Sequence, residues 1–124
     1  MLFNHAPTEL QLADARASLG VERVVTLPGE LASLWDSIPP EGESIGERLS
    51  PIRTWVEAES RLGDYLFVQG DFGATYLMVR FAFDRGLVPI YSTTNRDAVE
   101  EHAAEGTVVL THRFRHCRFR RYGV

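Results

Sequence analysis

At 124 residues, 44% apolar and 24% charged with net charge −4, the chain has the size and balance of one globular domain with its own core. No apolar run reaches membrane-spanning length, no leader pattern opens the chain, and the single Cys117 rules out an intrachain disulfide, so a cytoplasmic protein away from membranes is expected. All 13 basic residues are Arg, which excludes a P-loop lysine, a Schiff-base lysine and a lysine general base; a cation for phosphate must be Arg or protonated His.

Charge is unevenly spread. Residues 1–105 hold eight Arg against 17 acids, net −9, and residues 106–124 hold five Arg and no acid, net +5. An acidic body argues against coating long nucleic acid; a basic terminal strip suits a local anion site or partner docking.

In chain order, Met1–His5 reads as a first strand, with Pro7 suited to the first turn of a helix. Leu10, Ala13 and Ala17 recur at helical spacing, and Gly20 is a helix stop. Arg23–Leu27 reads as a second strand, with Pro28 opening a helix that carries the stripe Leu31, Leu34, Trp35, Ile38. Residues 39–44 form a polar loop, and a helix is expected over 47–62 with Leu49, Ile52, Val56 and Trp55 inward. Tyr65–Val68 is a third strand, and Gly70–Gly73 a tight turn. A helix over 74–85 then buries Ala74, Leu77, Met78, Phe81 and Ala82 and stops at Gly86.

Val88–Ser92 reads as a fourth strand, although Pro89 is awkward in a fully paired ladder. The spacing Thr94 to Asp97 resembles a capping box and predicts a short helix to about residue 104. Residues 107–121 alternate as one bent strand or a hairpin-like pair, and the alternation slips near His116-Cys117, which predicts a bulge. Strands alternating with helices predict an α/β fold: a Rossmann-like, mainly parallel sheet with helices on both faces and an antiparallel C-terminal edge strand, in a single domain spanning 1–124.

The segment Asp64–Thr75 is the most informative for function. A strand ending in a glycine turn and a helix start is where open α/β sheets bind ligands, and the unpaired N–H groups there favour an anion. Ile90–Arg96 reads as a second turn of this kind. Two such turns imply a phosphorylated ligand.

Four stretches carry a resemblance: Met1-Leu-Phe-Asn-His5, Gln69-Gly-Asp-Phe-Gly-Ala-Thr-Tyr76, Pro89-Ile-Tyr-Ser-Thr-Thr94 with Arg96, and Phe114-Arg-His-Cys-Arg-Phe-Arg120. Together they resemble small CRISPR-associated proteins of type III systems, grouped with the CARF-like domains and ring nucleases. The resemblance implies a homodimer that binds a cyclic oligoadenylate, most simply the tetramer, across its two-fold axis. It further implies cleavage to linear di-adenylate, which ends the antiviral signal.

In that chemistry the ribose 2′-OH attacks its own phosphorus, so neither metal nor cofactor is required, and the protein supplies in-line placement, charge stabilisation and proton transfer. Gly70 and Gly73 let backbone approach phosphate, with ordinary turn geometry as the alternative. Asp71 is an N-cap or, functionally, an acceptor for the 2′-OH. Phe72 and Ala74 belong to the same cradle. Thr75 donates to phosphate or satisfies the first helical turn, and Gln69 reaches an adenine edge or the ribose. Thr94 is the expected cap of the following helix, which leaves Ser92 and Thr93 as the freer phosphate donors.

Arg96 stands in the first turn of that helix, where a cation opposes the dipole, so an anion or a salt bridge explains it. Asn4 and His5 close the first strand; His5 suits a general acid, with a solvated loop histidine as the alternative. His112 and His116 are either site residues or histidines bonded to backbone. The catalytic candidates are therefore His5, Asp71, Thr75 and Ser92. The four His and one Cys show no metal spacing. A binding module that sequesters the ligand uncut, or senses it and docks through the Arg-rich tail, fits the same residues.

Overall fold

The computed structural model describes residues 7–102 and 108–124, with the backbone alone for residues 97–102 and 108–113. Residues 1–6, which include the expected first strand with Asn4 and His5, lie outside the described residues.

Helix α1 (Glu9–Leu19) starts at a complete capping box: Thr8 Oγ1 accepts from Gln11 N, and Gln11 Oε1 accepts from Thr8 N. Pro7 therefore precedes the cap rather than filling the first turn. Gly20, at φ 66, ends the helix in the left-handed conformation. Helix α2 (Gly29–Asp36) follows Pro28 and buries Trp35. The expected long helix over 47–62 is a 3-10 turn, Glu47–Leu49, followed by α3 (Ser50–Glu59). Pro51 explains the division, because its ring suits the first turn of a new helix and not the interior of a longer one.

Strand β1 (Tyr65–Phe67) leads into α4 (Phe72–Asp84), then into β2 (Val88–His102) and β3 (Val108–Arg121). The sheet has the order β1-β2-β3, parallel between β1 and β2 and antiparallel between β2 and β3. Leu66 and Val68 face a core built by α2, α3 and α4 with Trp35, Ile52, Val56, Ala74 and Met78. Phe67, Ile90 and Phe119 face the other way, against Ala15 of α1. The expected helices on both faces and the antiparallel terminal strand are thus present.

Three expectations need correction. Arg23–Leu27 belongs to no strand of the described sheet. The sheet is not mainly parallel among the described residues, since the β1–β2 ladder covers only Tyr65↔Val88 to Phe67↔Ile90 while β2–β3 runs from Ile90↔Arg121 to His102↔Val108. The third concerns residues 94–104, where the expected helix is replaced by the continuation of β2 to His102, so Thr94 caps nothing. From Asn95 to His102 only Ala98 and Val99 are apolar, too few for a helical face to bury. Pairing with β3 satisfies the same backbone instead.

Pro89 fits because its carbonyl accepts from Tyr122 N, just past the end of β3, where the ladder needs no N–H from it. The predicted slip is real: the register shifts between Thr93↔Arg118 and Thr94↔His116, leaving Cys117 as the extra residue.

Candidate functional site

The chain leaves β1 through a turn fixed by three other parts of the fold. Tyr122 Oη donates to Val68 O at 2.6 Å, and Trp35 Nε1 donates to Gln69 O at 2.8 Å. Gln69 Oε1 accepts from Ser92 N at 2.8 Å. Burial, with Tyr91 nearby, raises the Tyr122 pKa, so its hydroxyl stays a donor. These bonds bring the two sequence blocks 69–76 and 89–94 side by side.

Gly70 is required by that packing. A Cβ there would lie 2.6 Å from Trp35 Nε1. Its absence of a side chain therefore serves the indole, and the phosphate role expected of Gly70 is not needed to explain it. Gly73 differs: a Cβ would meet Asp71 Oδ2 and Ile45 Cδ1 at 3.5 Å, ordinary contact distances.

Asp71 is the N-cap of α4, its Oδ2 accepting from Ala74 N at 3.0 Å. Ala74 is fully buried and its N–H is engaged by that cap, so it is not available to a ligand. Thr75 N opens the helical ladder to Asp71 O. The N–H groups of Phe72 and Gly73 precede that ladder and lie outside the cap, as the first donors of any helix do. Thr75 Oγ1 is buried and has no hydrogen-bond partner among the described residues. Phe72 is 95% exposed and Tyr76 61% exposed, one turn apart on the same helix.

The second block is different in kind. Ser92 is buried, and its Oγ lies 2.5 Å from His116 Nδ1, with a longer bond to Thr93 O. His116 Nε2 is 2.7 Å from Asp14 Oδ2, and Ser18 Oγ donates to the other Asp14 oxygen. The Ser18 hydroxyl and then His116 hold the Asp14 carboxyl below its ordinary pKa, so it is ionised and accepts from Nε2–H. The Nε2–H donated to Asp14 leaves Nδ1 to share a hydrogen bond with Ser92 Oγ.

The chain of groups Asp14–His116–Ser92 has the composition of a nucleophilic triad. The His116 side chain is only 3% exposed, however, so substrate does not reach it. The trio clamps α1 onto β2 and β3.

Thr93 Oγ1 both donates to Arg118 O and accepts from Arg118 N at the bulge. Ser92 and Thr93 are therefore committed internally and are not the free phosphate donors expected of them. Thr94 is exposed, opposite His116. Arg96 is exposed on β2, in no helix, its guanidinium 5.6 Å from the Phe114 ring. His5 and Asn4 lie outside the described residues.

Sequence reasoning missed Trp35 and Tyr122 as braces and Asp14 as the partner of His116. The signal for Asp14 is faint, an acid 102 positions from its histidine. A space of about 590 Å³ between α1, α3 and β1 is lined by none of Gln69–Thr75, Ser92 or Arg96. Among the described residues, no three His, Cys, Asp or Glu side chains come together as a metal site, and no helix is long and apolar enough to cross a membrane.

Compared with known proteins, residues 1–120 match the model of the Uncharacterized protein MJ1673 family. Uncharacterized protein MJ1673 of Methanocaldococcus jannaschii is 46% identical over 122 residues, covering 98% of this chain and 94% of the relative. No solved structure matches at a significant level.

Proposed function

We propose that this chain, which belongs to the MJ1673 family, is a cytoplasmic ring nuclease with a Rossmann-like, CARF-like fold that cleaves cyclic tetra-adenylate as a homodimer and so ends type III CRISPR signalling. The observation that carries this reading is the start of α4. Two backbone donors, at Phe72 and Gly73, lie at a helix N-terminus on a turn held by Trp35, Tyr122 and Ser92. Such a turn is ready for an anionic oxygen without rearrangement. The resemblance of blocks 69–76 and 89–96 to ring nucleases supplies the ligand class.

In the proposed step the 2′-oxygen forms a bond to the adjacent phosphorus while the bond to the 5′-oxygen breaks. The 2′-OH proton ends on the leaving 5′-oxygen, and the product carries a 2′,3′-cyclic phosphate. Two such cuts divide the tetramer into two di-adenylates. Phe72 N–H and Gly73 N–H serve the non-bridging oxygens as charge builds on them. The exposed Phe72 ring offers a face for an adenine.

A second reading has its own support. Asp71 is engaged as a cap and Ser92 with His116, so among the described residues neither acid–base candidate at the turn is free. A module that binds the ring without cutting it needs only the donors.

A single-turnover assay separates the two readings, with protein in excess over labelled cyclic tetra-adenylate in EDTA. Linear di-adenylate bearing a cyclic phosphate supports the nuclease. Intact ring with a raised melting temperature supports the binding module, and neither change removes both.

A further inference from the structure

Helix α4 is apolar on two faces. Ala74, Met78 and Ala82 are buried against the core. At about 3.6 residues per turn, Phe72, Tyr76, Val79 and Phe83 fall within about 60° of one another on a different face, in a stripe about 16 Å long. Phe72 is 95% exposed, Tyr76 61% and Phe83 54%. Between Phe72 and Phe83 the one charged residue is Arg80, at the flank of the stripe, its guanidinium 5.8 Å from the centre of the Tyr76 ring. A surface helix ordinarily turns a charged face to water, and a helix apolar all round is ordinarily covered.

The area fits a pair of copies. A fully buried aromatic side chain covers about 150–250 Å², so at these exposures the three rings offer about 300–500 Å², the range in which exposed patches mark interaction surfaces. That is the apolar centre of an interface of about 800 Å² per partner, the usual size for a stable pair. The charge pattern fits as well. Where two helices lie side by side about a two-fold axis, each residue stands beside its own copy, so a charge in the middle of the seam would repel itself. Phe72, Tyr76, Val79 and Phe83 bring none. Arg80 is exposed at the flank, where an interface has its polar rim.

We infer that two copies pair through α4, side by side and parallel, about a two-fold axis that runs along the helices. Both α4 N-terminal turns then lie at one end of the seam, with the helix axes about 8–10 Å apart. A ring with two-fold symmetry meets the Phe72 and Gly73 donors of both copies there, between the two exposed Phe72 rings. The site is complete only in the dimer. An antiparallel pair would put the turns at opposite ends of the seam and leave each with the donors of one copy. This rests on the dimeric reading above and names the surface that makes the dimer.

The test is sedimentation velocity on the full chain and on Tyr76→Glu, with oxidative cross-linking of Phe83→Cys in a Cys117→Ser background. The wild type is expected to sediment as a dimer. Tyr76→Glu is expected to dissociate at protein concentrations at least tenfold higher, with its helical circular dichroism retained because Tyr76 is exposed. Phe83→Cys is expected to form a disulfide-linked dimer, since parallel helices bring the two copies of position 83 together. A monomeric wild type, or a dimer equally tight in Tyr76→Glu, overturns the α4 seam. A dimer that Tyr76→Glu weakens but Phe83→Cys does not cross-link overturns the parallel arrangement. Single-turnover cleavage of cyclic tetra-adenylate by the same wild-type sample separates the two readings: cleavage by a monomer leaves the nuclease without the seam, and a confirmed seam with neither binding nor cleavage of the ring leaves the dimer without the nuclease.

Discussion

β1 and β2 run side by side to the same level of the sheet, and from there their chains behave in opposite ways. Past Gln69 the backbone turns and enters α4 at Phe72; past Ser92 it continues as strand to His102. Both segments carry a local helix-start signal, Asp71 before Ala74 in one and Thr94 before Asp97 in the other. What separates them is burial. The run after Gly73 supplies Ala74, Met78 and Ala82 to the core, whereas the run after Thr94 supplies almost nothing. A cap decides where a helix starts, but a buried face decides whether it exists. Only one of the two turns is therefore a helix N-terminus.

The comparison breaks most completely if the β1–α4 turn loses its braces. Trp35→Ala is expected to cost about 3–5 kcal/mol in urea unfolding, since it empties a buried site and leaves Gln69 O without its donor. Gly70→Ala drives a methyl group into the same indole and is expected to cost about 1–3 kcal/mol. Tyr122→Phe removes the donor to Val68 O and is expected to cost about 1–2 kcal/mol. If Gly70→Ala left the melting temperature unchanged, the close approach of Trp35 would not be what fixes this turn.

Gly73→Ala sharpens the contrast between the two glycines. Its Cβ has room, and alanine is the better helix former, so stability is expected to change by less than about 1 kcal/mol and toward gain. A loss of stability as large as that of Gly70→Ala would mean the two positions are equivalent.

The smallest expected effect concerns Asp14→Asn on the β2 side. The folded-state pKa of Asp14 is lowered from 3.8, so its contribution is fully present above that value and is lost as pH falls through the lower folded value. The stability gap between wild type and Asp14→Asn is expected to be constant near neutrality and to narrow below about pH 4, read by urea unfolding at stepped pH. A gap that widened on acidification would contradict the ionised clamp.

The parts legible in the sequence are those with local signals. Gly20 and Gly86 mark the ends of α1 and α4, the stripe with Trp35 marks α2, and the broken alternation at His116-Cys117 marks the bulge. The illegible parts depend on contacts between distant residues. Nothing near Gly70 in sequence shows that an indole from position 35 occupies the space beside it. Ser92 looked like a free hydroxyl because its partner His116 and that partner's carboxylate at Asp14 come from β3 and α1. The helix expected after Thr94 failed for the same reason, because its competitor was the pairing with β3.

The most direct measurement is titration calorimetry of cyclic tetra-adenylate into the wild type and into Gly73→Ala. If the start of α4 is the phosphate cradle, the wild type binds and the variant, with its fold and melting temperature intact, binds at least tenfold more weakly. Equal affinity in the two proteins, or no heat from either, would contradict a ligand site at this turn.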